Sequence, residues 1–224
     1  MLEVWITDLS VPLPKHQYYE LLTELSIDKQ EKLCKYKYHE DALRSLLGDI
    51  MIRTMIYKYR LFSGSEIEFK MNKYGKPYLV NNANIHFNIS HSENLVACAI
   101  NDNSPIGIDI EYIKPIDLSI AKRFFTENEF HFIISPDDKR SRYQRFYYIW
   151  TRKEAYIKQQ GVGLHIPLKS FDVLVNQNNV YFQCIYNNAE YICNICLSKA
   201  DTITTYYISA QELFLLYNQY RFKG

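Results

Sequence analysis

Two short segments carry side chains that could do chemistry together. The first, residues 106–111, reads I-G-I-D-I-E, and its period of two predicts a strand with Asp109 and Glu111 on one face. The second, residues 150–158, reads W-T-R-K-E-A-Y-I-K, and on a helix Glu154 and Lys158 lie one turn apart. If the segments face each other, three carboxylates and a lysine form a site suited to Mg²⁺ and a phosphate-bearing substrate.

Taken alone, each segment has a simpler explanation. Two acids on a strand most often form a solvated face, and Glu154 with Lys158 at i,i+4 most often forms a surface ion pair. This strand is otherwise apolar, however, and unpaired carboxylates are costly to bury. A convergent set of acids without histidine or thiol ligands favours Mg²⁺ over zinc.

A third segment, F-N-I-S-H-S at residues 87–92, ends a predicted strand with hydroxyls and an imidazole. Ser90 and His91 beside a turn could donate hydrogen bonds to phosphate. A Ser–His nucleophilic pair is disfavoured, because neighbouring side chains on an extended chain point to opposite sides. Further basic residues lie upstream, each explained singly by solvated surface: Lys29, Lys32, Lys35, Arg44, Lys73 and Lys76.

Composition indicates one large globular domain or two small ones. The 224 residues are 47% hydrophobic and 23% charged, and 26 Lys and Arg oppose 25 Asp and Glu, which gives no sign of a nucleic-acid partner. No apolar run approaches the roughly 20 residues of a membrane span, and the N-terminus lacks a signal-peptide pattern. We predict a cytoplasmic protein without a nucleic-acid or membrane partner.

The five cysteines do not suggest a disulfide framework, because their number is odd. Cys193 and Cys196 form a C-x-x-C, but they lie in an apolar, strand-like run that would place them on opposite faces. We expect both to be ordinary buried cysteines.

Periodicity predicts helices followed by strands, twice over. Helices are expected at 17–25, between 26 and 59, and at 117–133, 140–160 and 211–220. Strands are expected at 4–9, 67–71, 85–89, 95–100, 106–111, 171–175, 180–186, 191–197 and 203–209, with turns at 72–75 and 176–179. This order predicts an α+β fold of two similar halves, residues 1–103 and 104–224, each an antiparallel sheet packed with helices.

Together these segments resemble the 4′-phosphopantetheinyl transferases of the surfactin-synthetase-activating (Sfp) type. The resemblance rests mainly on G-I-D-I-E at 107–111 and on the 150–158 segment, with support from residues 38–48, 87–92 and 121–125 and from Y-G-K-P at 74–77. It implies a pseudo-two-fold monomer with coenzyme A bound in the cleft between the halves.

The resemblance also assigns roles. It places Mg²⁺, or Mn²⁺, on the pyrophosphate of coenzyme A, held by Asp109, Glu111 and Glu154. Phosphate oxygens would be contacted by Lys158, Ser90 and His91. The 3′-phosphate would be surrounded by Lys29, Lys32, Arg44 and Ser45, and Lys76 would lie near the adenine.

The implied reaction transfers 4′-phosphopantetheine from coenzyme A to a serine of an apo carrier protein, and releases adenosine 3′,5′-bisphosphate. Carriers of nonribosomal peptide (including antibiotic), polyketide or fatty-acid synthesis are the expected partners, docking between Tyr112 and Phe125. Lys158 would stabilise the leaving phosphate, and Glu154 or a metal-bound water would deprotonate the serine. A Mg²⁺-dependent phosphohydrolase and a non-catalytic coenzyme A or carrier-protein binding module are the alternatives.

Overall fold

The computed structural model describes residues 1–61, 67–175 and 179–222. Its strands are β1 (Leu2–Asp8), β2 (Phe69–Met71), β3 (Pro77–Leu79), β4 (His86–Ser92), β5 (Leu95–Asn101), β6 (Ile106–Tyr112), β7 (Tyr181–Asn187), β8 (Tyr191–Leu197) and β9 (Thr204–Ser209). Its α-helices are α1 (Lys15–Thr23), α2 (Ile27–Cys34), α3 (His39–Tyr59), α4 (Ser119–Phe124), α5 (Glu127–Ile134), α6 (Lys139–Gln160) and α7 (Ala210–Arg221).

Two parts of the chain share one connectivity. Each part begins with one strand, which is followed by three helices, the last of them long. A β-hairpin comes later in each part, and its second strand pairs antiparallel with the first strand of that part. The strand orders are β4-β5-β1 in the first part and β7-β8-β6 in the second, with α3 and α6 as the long helices. The predicted α+β fold of two similar halves is confirmed.

Strand β9 extends the first sheet. It lies parallel to β1, with Glu3 opposite Thr204 and Asp8 opposite Ser209, so this sheet is mixed and not purely antiparallel as predicted. The chain reaches β9 from the other half by a long crossover connection. Such a connection allows β9 to run parallel to β1. Helix α7 then packs on α3. Residues 204–221 therefore lie with the first half, and the division at residue 104 otherwise stays a prediction.

The two sheets pack face to face, and β6 lies at the centre of the molecule. One face of β1 and β5 packs against the isoleucine side chains of β6, and the opposite face packs under α3. Burial on both faces explains why β5 is apolar from Leu95 to Ile100, up to its last residue. Because Ile106, Ile108 and Ile110 face the first sheet, the alternate residues of β6 face α6.

Gly107 allows β6 and α6 to touch through their backbones. A Cβ at this position would lie 1.9 Å from the Ala155 carbonyl oxygen and 2.4 Å from the Gln159 nitrogen. No side chain fits in that space. Gly107 therefore permits a close backbone approach of β6 to α6, and this approach brings the carboxylates of β6 beside Glu154 and Lys158 of α6.

Two predicted elements are wrong. The stretch 117–133 is broken into α4 and α5, because Thr126 caps a new helix in a reciprocal capping box with Glu129. The stretch 171–175 is not a strand, because side chains take its backbone groups: Phe171 O accepts from Lys153, and Val173 N donates to Glu129. Of the predicted 176–179 turn, residues 176–178 lie outside the described residues.

The cysteines are all free, and Cys193 and Cys196 are buried as expected. Among the described residues, no helix has the length and apolar character required to cross a membrane.

Replacing Gly107 with alanine should destabilise the fold by about 2–3 kcal/mol, because the added methyl group meets rigid backbone and forces β6 and α6 apart. Gly48→Ala is the matched control. Its Cβ would lie 2.8 Å from Cγ2 of Ile89, so a side chain and not rigid backbone must shift, and the higher helix propensity of alanine offsets about 1 kcal/mol of that cost; a smaller loss of stability is expected. Urea denaturation measures both changes, and equal midpoints for Gly107→Ala and the wild type would contradict the packing argument.

Candidate functional site

The site begins with the outer edge of β6. Strand β6 is an edge strand that pairs only with β8. Every second N–H group of β6 points away from β8 and therefore needs a partner other than a strand backbone. The polar row of β4 (Asn88, Ser90 and Ser92) supplies these partners. The three bonds run from Ile108 N to Asn88 Oδ1 (2.8 Å), from Ile110 N to Ser90 Oγ (3.2 Å) and from Tyr112 N to Ser92 Oγ (3.0 Å). Side chains of β4 thereby accept the hydrogen bonds that the backbone carbonyls of an adjacent strand would otherwise accept.

The serines of the polar row also hold the carboxylates of β6. Ser90 Oγ donates to Asp109 Oδ1 at 2.9 Å, and Ser92 Oγ donates to Glu111 Oε2 at 2.8 Å. Each hydroxyl therefore accepts from a backbone N–H group and donates to an acid. Because Ser90 also accepts from Lys158 Nζ at 3.0 Å, its hydrogen-bonding capacity is fully used inside the protein. Its expected contact with phosphate stays a prediction.

Lys158 and Asp109 form the central ion pair. Nζ lies 2.5 Å from Oδ1, and Asp109 is 3% exposed. The other oxygen, Oδ2, is buried and has no hydrogen-bond partner. Burial raises the pKa of Asp109 despite the opposing effects of Lys158 and Ser90. The carboxylate of Asp109 is thus paired with Lys158 and Ser90 at Oδ1, whereas Oδ2 has no partner.

Glu111 is the second carboxylate of the site. Burial and the charge of Asp109 raise its pKa to about 7, although hydrogen bonds from Ser92 and the Trp150 indole and the charge of Lys158 oppose the shift. Trp150 was not among the expected site residues, but it lies four residues before Glu154 on the same helix. That spacing is the signal in the sequence by which it could have been found.

Glu154 faces the same region from α6. Burial and then the charge of Asp109 raise its pKa, and the charge of Lys158 lowers it. Asp109 therefore acts on the pKa of both glutamates, which shows that the three acids share one electrostatic environment. Within the described residues, however, no group of three or more Asp, Glu, His or Cys side chains is arranged so that it could coordinate a metal ion. Asp109 is engaged instead by the Lys158 ammonium.

A cleft of about 220 Å³ opens between this site and the N-terminal half. Its lining residues are Tyr74, Gly75, Lys76, Pro77, Asn88, Glu154, Ile157, Lys158, Gly161 and Gly163. The tertiary structure thus brings the Y-G-K-P motif, the polar row and α6 to one place, although about 80 residues of sequence separate the first from the last.

The other expected binding residues lie outside this cleft lining. Lys29 of α2 pairs with Asp49 at 3.6 Å, and Arg44 of α3 pairs with Asp41 and donates to the Glu93 carbonyl at 2.7 Å. Lys32 is exposed on α2, Ser45 is half-buried on α3, and His91 is exposed on β4. Desolvation, and then the charges of Arg44 and Lys158, lower the pKa of His91. Their roles around a phosphate stay predictions.

Two family models match the chain in succession. Residues 12–103 match the model described as 4′-phosphopantetheinyl transferase, N-terminal, and residues 105–211 match that of the 4′-phosphopantetheinyl transferase superfamily.

Curated proteins with similar sequences carry the same description. The 4′-phosphopantetheinyl transferase Sfp of Bacillus subtilis (strain 168) is 43% identical over 168 residues, which cover 75% of this chain and 74% of the relative. The 4′-phosphopantetheinyl transferase gsp of Aneurinibacillus migulanus is 40% identical over 177 residues, covering 79% and 73%. HetI of Nostoc sp. (strain PCC 7120 / SAG 25.82 / UTEX 2576), also a 4′-phosphopantetheinyl transferase, is 34% identical over 168 residues, covering 72% and 70%.

Replacing Ser92 with alanine should raise the pKa of Glu111 above about 7. The lost hydroxyl donates to the carboxylate and stabilises its charged form, so its removal favours the protonated form. Carbon-13 NMR titration without divalent ions should show the Glu111 midpoint moving up by about one pH unit. Ser119→Ala, an exposed serine bonded to Asp117, is the control. An unmoved Glu111 midpoint in Ser92→Ala would show that this hydrogen bond does not set the pKa.

Proposed function

Because the chain belongs to the 4′-phosphopantetheinyl transferase family, of the Sfp type, and is therefore a transferase, we propose that coenzyme A donates the group and a carrier-protein serine receives it. The observation that carries this proposal is the buried Asp109–Lys158 pair with Glu111 and Glu154 around it, at the edge of the cleft. A substrate with a pyrophosphate brings negative charge, and the Lys158 ammonium provides the opposite charge at that edge.

The transfer can be described in atoms. The serine oxygen of the carrier forms a bond to the β-phosphorus of coenzyme A, and the bond from that phosphorus to the oxygen bridging to the α-phosphate breaks. Adenosine 3′,5′-bisphosphate leaves, and the hydroxyl proton passes to a carboxylate. Glu154 fits this role, because it lines the cleft and burial raises its pKa toward that of a useful base. Lys158 balances the charge that develops on the leaving phosphate.

A divalent ion, Mg²⁺ or Mn²⁺, fits the donor set of this site. The unpartnered Asp109 Oδ2 is a buried oxygen that a cation would satisfy, and Glu111 and Glu154 add hard oxygen ligands in the same environment. Asp109, Glu111 and Glu154 would hold the ion. When bound, it would neutralise charge on the pyrophosphate as the bond breaks.

The carrier protein is proposed to dock between Tyr112 and Phe125. Helix α4 lies in this stretch, and its last three residues are exposed: Lys122, Arg123 and Phe124. An apolar ring flanked by two cations suits an acidic, partly apolar partner surface. Phe125, by contrast, is 1% exposed and belongs to the core. The choice among carriers of nonribosomal peptide, polyketide or fatty-acid synthesis stays open, and the cytoplasmic monomer stays a prediction.

The affinity for Mg²⁺ should rise with pH between 6 and 8. A metal ligand must be deprotonated, and Glu111 has a pKa of about 7, so it is mostly protonated at pH 6 and mostly charged at pH 8. Isothermal titration calorimetry with Mg²⁺ should show the apparent Kd falling about tenfold across this range. In Glu111→Gln the dependence should flatten. A pH-independent Kd in the wild type would contradict the ligand role of Glu111.

Asp109→Asn should lower transfer at least about 100-fold, because it removes the negative charge from the centre of the site while keeping the shape of the side chain. The assay is the intact mass of an apo carrier protein incubated with the enzyme, coenzyme A and Mg²⁺, with EDTA as a control. The wild type should add one phosphopantetheinyl group to the carrier.

Asp137→Asn, at an exposed position before α6, is the matched control and should react like the wild type. Full activity of Asp109→Asn would refute the role given to Asp109. Breakdown of coenzyme A with an unmodified carrier would refute the proposed acceptor.

A further inference from the structure

Lys76 belongs to the N-terminal half, but its ammonium is bonded to the backbone of the other half. Nζ donates to the carbonyl of Ile106 at 3.1 Å, to that of Gln159 at 3.4 Å and to that of Lys158. Ile106 begins β6, and Lys158 and Gln159 lie in the last turn of α6. An ammonium has three donors, and all three are used here within the protein. Lys76 therefore has no donor left for a bound nucleotide.

Two of the carbonyls that Lys76 contacts, those of Lys158 and Gln159, lie at the C-terminal end of α6. The last carbonyl groups of a helix have no partner within it and carry the negative end of the helix dipole. Helix α6 ends at Gly161, whose φ of 67° turns the chain away. The half-buried positive charge of Lys76 at this end stabilises the turn of α6 that carries Lys158, and so helps to fix the position of that residue's backbone.

Asn72 provides a second link at the same place. Its Nδ2 donates to the Gly161 carbonyl at 2.8 Å, and its Oδ1 accepts from the backbone N–H groups of Tyr74 and Lys76, each at 2.9 Å. The turn at residues 72–76 is thus held in shape internally and is attached to the end of α6 at two points.

These links join the two walls of the cleft. Residues 74–77 form one wall, and the other wall carries Glu154 and Lys158. We propose that Lys76 is a positioning residue that clamps the 72–76 turn to the end of α6, sets the width of the cleft and places Lys158, while its ammonium donates to the protein backbone and not to the ligand. The inference rests on the proposed function, since coenzyme A is taken as the occupant of the cleft.

The clamp gives coenzyme A binding a pH dependence. Burial lowers the pKa of Lys76 to about 8, so its charge is lost between pH 7.5 and 9. The titratable groups that interact with its charge are His86 on β4 and Cys196 on β8, and Glu154 and Lys158 of α6 line the same cleft. Burial and then Lys76 lower the pKa of His86, and burial raises that of the Cys196 thiol to about 12, so neither changes its charge in this range.

The test measures coenzyme A binding by calorimetry, without a carrier protein, for the wild type, Lys76→Met and Lys76→Arg at pH 7.5 and 9. The wild-type Kd should rise about fivefold with pH, because the charged fraction of Lys76 falls and its neutral form still binds as weakly as Lys76→Met. Lys76→Met should bind about tenfold more weakly at pH 7.5 and show no such rise. Lys76→Arg should bind within about twofold of the wild type at both pH values, because a guanidinium stays protonated.

Hydrogen–deuterium exchange on the ligand-free proteins separates a clamp from a direct contact. In Lys76→Met, amides of residues 72–76 and 157–161 should exchange faster than in the wild type before any ligand is added. Unchanged exchange together with weaker binding would show that Lys76 contacts the ligand, and would overturn the proposal. Binding by Lys76→Met equal to the wild type would also overturn it. Failure of the wild type to bind coenzyme A would refute the proposed function, and the exchange result would then decide the clamp alone.

Discussion

The rest of the structure depends on how the outer edge of β6 is satisfied. This strand lies between the first sheet and α6, and an unpaired N–H group in such a place costs about 1–3 kcal/mol. The polar row of β4 supplies the acceptors, and its two hydroxyls go on to donate to Asp109 and Glu111. Folding and site assembly therefore use the same hydrogen bonds. A change at Asn88, Ser90 or Ser92 would therefore affect both the site and the contact between the two halves.

Burial of the acids prepares the site for positive charge. Asp109 and Glu111 lie where water solvates them poorly, which raises the pKa of both. Lys158 and the serines compensate part of this cost, and Asp109 Oδ2 is left without a partner. A cation or a ligand that brings one would complete the arrangement. The burial that makes these charges costly in the protein alone also makes the site a good receptor for the proposed substrate.

Helix α6 is held along its length so that it can present Glu154 and Lys158. Its backbone touches β6 at Gly107, and Lys76 holds its end. On its far side the fully buried Lys153 pairs with Glu129 at 2.9 Å and donates to the carbonyls of a neighbouring loop. Adjacent residues of the 150–158 segment thus have different roles. Lys153 holds α6 against α5 and the following loop, and Glu154 faces the cleft.

The sequence by itself determined the α+β class and the strand and helix that carry the acids and the lysine, because periodicity and spacing are local properties. It also pointed to the transferase family. It did not reveal Asn88 and Ser92 as partners of β6, the break at Thr126, or the backbone contacts of Lys76, since these depend on segments distant in the chain. The placement of β9 beside β1 is of the same kind. Only the tertiary structure decides which cations are already paired, because pairing depends on distances in space that no spacing along the chain fixes.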